Sequence, residues 1–388
     1  MNLILFDGAE RNHLLPLTFT RPIALCRIGI LTIAEKWEKH LNIKASYLTQ
    51  DYLSEKFKVI YSGENLYVNG AVCPSVELVE AIKALKENSS LVKNDILIAI
   101  RSSVKAKSFE DLVSENSMNF EGEFTYVNRP WKIFAENAKE LECDFELITK
   151  GRKSQRLSNT NTVIGDRIFL EDGARVEAAI LNSTNGPIYM AKDAEIMEGA
   201  IVRGGLALGE HSQLKLGAKI YGAVTLGPYV KVGGEVNNSV IFGYSNKGHD
   251  GFLGNSVLGE WCNIGADSNN SNLKNNYDEV RLWSYVRNGF EKTGLQFCGL
   301  IMGDHSKCGI NTMFNTGTVI GVSCNIYGSG FPRNFVPSFS WGGAGGFTEY
   351  KINKALETAE RVMSRRGIKL DETEEKILTH LYEQTAGC

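Results

Sequence analysis

Ile196, Val202, Leu208, Leu214, Ile220, Leu226 and Val232 fall six residues apart without a slip. All are aliphatic, in a stretch otherwise rich in glycine, alanine and small polar residues. A helix repeats its apolar face every three to four residues, and a half-buried strand every two. A strict six fits neither. It fits a solenoid in which each six-residue unit supplies one short strand and one corner, and three units close a triangular coil. The step recurs at Ile164, Leu170 and Val176, at Phe252, Leu258 and Ile264, and at Met302, Cys308, Phe314, Ile320 and Ile326. Glycine follows many of these positions, as at Gly209, Gly227, Gly233, Gly259 and Gly303, which suits a tight corner. One repeat cannot bury its own apolar face, so the pattern means a stack of coils.

Two stretches break the frame, 237–251 and 266–295, and read as loops projecting from one face. Residues 1–155 have a different texture. An apolar run at 2–6 ends in Asp7-Gly8, and helical spacing over 28–41 includes Trp37. A strand at Tyr67-Val68 precedes Asn69-Gly70, a helix follows at 76–85, and a strand at 95–100. This alternation predicts an α/β domain with a mostly parallel sheet. The polar run 150–156 is the join to the solenoid, 156–345. The tail, 346–388, is helical. Residues 351–365 are amphipathic, and Asp371 to Glu374 has the pattern of a capping box before a helix at 376–383. The glycine-rich stretch 338–346 reads as a hinge before that tail.

A net charge of −3 gives no electrostatic reason to propose nucleic acid as a partner. The eight cysteines, at 26, 73, 143, 262, 298, 308, 324 and 388, form no C-x-x-C pair. With no signal-like start, they suggest reduced thiols and a cytoplasmic protein. No apolar run is long enough to span a membrane. No His/Cys/Asp cluster has the spacing of a metal site, so no metal residues are assigned.

One stretch is more specific than the repeat. It runs Lys247-Gly-His249-Asp-Gly-Phe-Leu-Gly254, then Leu258-Gly-Glu-Trp-Cys-Asn263-Ile-Gly-Ala266, then Asn276-Tyr277-Asp278. Here the chain resembles the left-handed β-helix acyltransferases of the hexapeptide type. More narrowly, it resembles the acetyltransferase half of the bifunctional N-acetylglucosamine-1-phosphate uridyltransferase/glucosamine-1-phosphate acetyltransferase family. The resemblance implies an acetyl-CoA-dependent N-acetyltransferase acting on an amino sugar 1-phosphate. It implies His249 as general base, a role that suits a side chain titrating near neutrality. Asn263, Asn276 and Tyr277 would contact substrate, and the backbone at Ala266 and Gly328 would hold the coenzyme arm. Lys247 and Arg281, with Arg287, are candidates for holding phosphates. Related solenoids are homotrimers with sites between subunits, and a trimer is expected here. Two departures, Phe252 for a tyrosine and Asn237 for a lysine, bear on which sugar is accepted.

The first 155 residues resemble a shortened sugar-nucleotidyltransferase domain, a reduced Rossmann-like fold. Gly8 and Arg11 keep a trace of the family's glycine-rich phosphate loop, and Arg21 stands where its lysine would be. These three are the candidate nucleotide-binding residues. The family holds Mg²⁺ with an aspartate after a strand, where this chain has Asn69. Two further readings stand beside the acetyltransferase. One is uridylyl or thymidylyl transfer to a sugar 1-phosphate, using a nucleoside triphosphate and magnesium. The other is a non-catalytic trimeric scaffold that binds a sugar phosphate.

Overall fold

A computed structural model describes residues 1–114 and 116–385. Cys388 lies outside the described residues. The chain divides into two compact units. The first comprises 1–14, 20–26 and 31–129; the second comprises 15–19, 27–30 and the chain from Pro130 onward. The compact units thus divide near residue 130.

The first unit is built on six strands: β1 (Asn2–Phe6), β2 (Ala45–Leu48), β3 (Asn65–Asn69), β4 (Ser89–Lys93), β5 (Ile96–Ser102) and β6 (Asn116–Asn119). Their spatial order is β2-β1-β3-β5-β4-β6. β1 pairs in parallel with β2 and β3, but β5 runs antiparallel to both β3 and β4. The sheet is thus mostly parallel, as the alternation predicts, with β5 running against the other five strands. The cause is a tight hairpin at Asn94-Asp95, both with positive φ (48° and 64°). Such residues favour the turn that reverses a strand rather than crossing it over. Helices α1 (Ile33–Leu41), α2 (Asp51–Ser54) and α3 (Val76–Lys83) accompany the sheet. α1 starts later than its spacing predicts because Thr32 and Glu35 form a capping box there. Trp37 is fully buried, and its indole N–H donates to the Val72 carbonyl at 2.8 Å.

The second unit opens with α4 (Pro130–Ala135) and α5 (Asn137–Thr149), followed by the solenoid. Its short strands pair in parallel from coil to coil, and three inward columns result. The first runs Leu181, Val202, Ile220, Val236, Leu253. The second includes Leu170, Met190, Leu208, Leu226, Ile241, Leu258, Met302 and Ile320, within a sheet of nine strands. The third runs Val176, Ile196, Leu214, Val232 and Lys247, with Cys308 and Ile326 further along. All seven residues of the 196–232 run are at most 2% exposed. Two positions read as inward are not. Ile164 is 45% exposed beside the paired Val163, and Leu253, not Phe252, enters the first column.

The two frame breaks have different origins. The stretch 237–251 is no loop, because it contains the strands Val240–Ile241 and Asn246–Lys247 in register with the coil before. The third column advances 18 residues from Leu214 to Val232 but only 15 from Val232 to Lys247. A shortened coil has lost the step of six while keeping its strands. The stretch 266–295 keeps the coil strand Asn269–Asn270, paired with Met313–Phe314, and then carries an insertion: Leu258 pairs with Met302, 44 residues on. It carries an antiparallel hairpin, Arg281–Ser284 with Gly289–Lys292, whose Trp283 ring stacks on Phe335 at 4.2 Å.

One corner of the stack carries a ladder of rings. His211, Tyr229, Tyr244, Trp261 and His305 lie 4.8, 5.2, 4.2 and 6.3 Å apart in succession. All sit at positive φ, between 55° and 61°. The stacking offsets the roughly 1–2 kcal/mol that an L-residue costs there. The glycine-rich stretch is a strand hairpin, Ser340–Gly343 with Gly346–Glu349, which closes the last coil rather than acting as a hinge. Helices α6 (Ile352–Ser364) and α7 (Glu372–Thr385) follow. They bury Ala355, Ala359 and Met363, and Ile377, Leu378 and Leu381. Asp371 accepts from the Glu374 amide at 2.8 Å, as the capping pattern anticipates.

Candidate active site

His249 lies in the corner between the strands Asn246–Lys247 and Phe252–Gly254 and is exposed. The corner is stacked tightly on the coil before it. A Cβ on Gly233 would stand 2.6 Å from the Gly248 carbonyl oxygen. One on Gly234 would stand 2.8 Å from Asp250 Cα and 2.9 Å from the His249 carbonyl oxygen. Only glycine at both positions lets the His249 backbone come this close. The Gly233 amide donates to the Lys247 carbonyl at 2.7 Å, and the Asp267 amide to the Asp250 carbonyl at 3.0 Å.

His249 borders two cavities. The first, about 810 Å³, is walled by Tyr244 and Trp261 of the ring ladder, by Asn263, Gly265 and Ala266, and by the end of α6. It gathers five cationic side chains: Lys215, Lys231, Lys307, Arg365 and Arg366. Among the described residues, no carboxylate lines it. Three of the five make polar contacts only with neutral groups: Lys215 with Gln213 at 2.8 Å, Lys307 with the His305 carbonyl at 2.8 Å, and Arg366 with Asn246 at 3.1 Å. Burial and then the like charges of Arg366, Lys215 and Arg365 push the Lys231 amine down from its ordinary value. Burial alone pushes Lys307 down to about 8. Cations held together without counter-charge form a field that attracts polyanions. The second cavity, about 710 Å³, lies across the His249 corner and is lined by Met197, Leu216, Asp250, Ala266 and Asp267.

The structure brings together His249, Asn263 and Ala266, as the sequence pattern implies. It separates others. Asn276 accepts from the Asp278 amide at 3.2 Å within its own turn, and Tyr277 is 67% exposed. Arg281 is on the inserted hairpin, and Gly328, at φ 101°, follows the strand Asn325–Ile326. None of these four lines either His249 cavity. Lys247 is a correction. It is 1% exposed inside the third column, so its amine is not offered to a phosphate. The sequence reading missed all five cations of the cavity. Lys215 and Lys231 directly flank inward residues, a signal that each faces outward, but nothing in the sequence links them to Arg365 and Arg366.

In the first unit, the segment after β1 is a turn of 3-10 helix, Ala9–His13, not an open phosphate loop. Arg11 is 5% exposed, donates to the Tyr52 hydroxyl at 2.6 Å, and lies 3.5 Å from Asp7. Arg21 is equally buried. The Glu10 carboxylate fills the space that a Cβ on Gly8 would need. At the end of β3, the Asn69 amide donates to Glu10 at 3.2 Å and to the Leu97 carbonyl at 3.1 Å, while its oxygen accepts from the Ala71 amide at 2.9 Å. Glu10 also accepts from the Tyr126 hydroxyl. Magnesium wants open oxygen ligands. These side chains are tied to one another, and among the described residues no three carboxylate, histidine or cysteine side chains gather. They do not fit a divalent cation.

Residues 3–153 match the sugar nucleotidyl transferase family. The chain is 28% identical over 216 residues to a bifunctional sugar-1-phosphate nucleotidylyltransferase/acetyltransferase of Sulfurisphaera tokodaii, covering 54% of this chain and 46% of that one. Its match is thus to a sugar nucleotidyl transferase family over residues 3–153 and to a relative named for two activities over about half of the chain. Bifunctional GlmU proteins of Herminiimonas arsenicoxydans (32% over 115 residues; 29% of this chain, 24% of that one) and Streptococcus suis (26% over 197 residues; 49% and 36%) are similar too. The chain therefore spans less than half the length of these relatives. A UDP-N-acetylglucosamine acyltransferase from Campylobacter jejuni covers 59% of the chain and 97% of its own at 14% identity, with a TM-score of 0.20, too low to bear on the fold.

Proposed function

We propose that the solenoid unit is an acetyl-CoA-dependent N-acetyltransferase whose acceptor is an amino sugar 1-phosphate. The observation that carries this reading is the placement of His249 on a wall shared with a large cavity holding five cations and, among the described residues, no carboxylate. The nucleotide phosphates of a coenzyme suit that cavity. The acceptor amine attacks the thioester carbonyl carbon, the C–S bond breaks, and the coenzyme leaves as its thiolate. His249 takes the proton that the amine sheds. Backbone amides along the coil stabilise the oxyanion. Asn276, Tyr277, Arg281 and Gly328, which lie away from His249 in one chain, would reach the His249 of a neighbour in a homotrimer. Among the described residues, six of the seven cysteines are buried. No helix among the described residues is long and apolar enough to cross a membrane.

The test is thiol release from acetyl-CoA with a panel of amino sugar 1-phosphates, comparing wild type with His249→Ala. Release that requires the amino sugar and drops by about 10²-fold or more in the variant supports the reading. Release that survives the substitution refutes His249 as base.

A second reading rests on the family match of residues 3–153: nucleotidyl transfer from a nucleoside triphosphate to a sugar 1-phosphate. Pyrophosphate release with uridine or thymidine triphosphate tests it. The enclosed Arg11 and Asn69 favour a unit that has lost this step.

A further inference from the structure

Resting on the acetyl-transfer reading, we propose that Lys247 is a positioning residue: its amine, set inside the solenoid, ties the His249 corner to the coil before it. The third column is otherwise aliphatic from Val176 through Val232 and resumes with Ile264, Cys308 and Ile326. An aliphatic side chain at 247 would complete it at no electrostatic cost. An ammonium there costs several kcal/mol unless its protons find acceptors. Two of its three do: Lys247 Nζ donates to the Gly233 carbonyl at 2.9 Å and to the carbonyl of His249 itself at 2.7 Å. One bond ends on the preceding coil and the other on the backbone of the base. The same amine therefore joins the two layers whose separation Gly233 and Gly234 keep small.

Geometry explains why the device is needed here. The coil from Val232 to Lys247 is three residues shorter than the 18-residue standard, so the corner at 248–251 follows a coil whose path differs from its neighbours'. The bond to the Gly233 carbonyl is buried and the bond to the His249 carbonyl partly so. A buried carbonyl without a donor is costly, and Lys247 supplies both carbonyls at once. With the backbone fixed, His249 keeps only its two side-chain torsions. The charged and titratable groups acting on the amine are Asp250 and Cys308, which favour its protonation, against burial, which lowers it to about 8. Lys231 and Lys307, on the flanking strands, line the cavity instead.

The test is Lys247→Met, which keeps the unbranched chain as far as Cε, lacks the amine, and restores an apolar side chain to the column. Lys247→Leu takes its place should the first variant not fold. The proposal expects an unfolding midpoint close to wild type, because removing the buried ammonium offsets the loss of two carbonyl bonds, a kcat lower by about 10- to 10²-fold, the scale of a misplaced catalytic group, and little change in KM for the coenzyme. The imidazole resonances of His249, followed by NMR in the full chain without substrate, should shift or broaden. A folded variant with unchanged kcat and unchanged His249 resonances overturns the proposal. So does failure of both variants to fold, which would make Lys247 a structural residue. If wild type transfers no acetyl group, the functional reading fails, and the resonances alone decide whether Lys247 orders the corner.

Discussion

Gly234→Ala and Gly217→Ala form a matched pair. Both glycines lie at corners of the solenoid, at φ +69° and +67°, so the backbone cost of an alanine is the same, about 1 kcal/mol. Their surroundings differ. Nothing lies within 4 Å of a Cβ on Gly217. A Cβ on Gly234 meets three backbone atoms of 249–251 at 2.8–2.9 Å, about 0.6 Å short of ordinary contact at 3.4 Å. Backbone cannot rotate away as a side chain can, so the corner must lift. Forcing an extra carbon into packed structure costs about 1–3 kcal/mol. Gly217→Ala should therefore lose about 1 kcal/mol and Gly234→Ala about 2–4 kcal/mol. Urea unfolding of both variants beside wild type measures the difference. Because the lifted corner carries His249, acetyl transfer should fall by about 10- to 10²-fold in Gly234→Ala and stay near wild type in Gly217→Ala. Equal losses of stability in the two would refute the steric reasoning, and equal activities would refute the link from the corner to the chemistry.

Three other outcomes follow from the geometry. Lys231→Ala and Arg366→Ala should each raise KM for acetyl-CoA with a smaller effect on kcat, and added salt should narrow the gap to wild type, because screening weakens the same attraction; initial-rate kinetics at two ionic strengths check this. Leu214→Ala, fully buried in the third column, should cost about 2–5 kcal/mol, measured as a shift in the urea midpoint. Asp7, which accepts from the Ile23 amide and the Thr49 hydroxyl, is pushed up to about 6 by burial, against the pull of Arg11 and with a smaller push from Glu10. The folded state then holds a proton that the unfolded state has shed, so stability falls as pH rises from about 4 to about 6, by at most about 1.4 kcal/mol per pH unit. Asp7→Asn should flatten that window in unfolding measurements taken across it.

The solenoid was legible in the sequence wherever its coils hold 18 residues, because seven aliphatic positions then keep one phase. It became illegible at 237–251, where the coil shortens and the phase slips. That slip also hid Lys247. Outside a known frame, a lysine beside glycines looks like a solvated loop residue; only the register with Val232 shows that it points inward. His249, Asn263 and Ala266 could be found because they lie within one short stretch. The cationic cavity could not, since Lys215 and Arg366 are 151 residues apart and meet only through the path of α6. In the first unit the alternation of strands and helices was visible, but the direction of β5 was not. Two residues, Asn94 and Asp95, reverse the chain and turn an expected parallel strand antiparallel.

The stacked coils also act as a ruler with fixed graduations. Successive strands stand about 4.8 Å apart, and four steps separate Val176 from Lys247. The distance from the first coil to His249 therefore comes in whole steps and cannot be adjusted finely. Excising one coil of 18 residues, such as 199–216, should bring His249 one graduation nearer the start of the stack with its own corner intact, whereas deleting a single residue in the same coil would throw one inward column out of phase. Length in this architecture changes by the rung, and the site can be moved without being rebuilt.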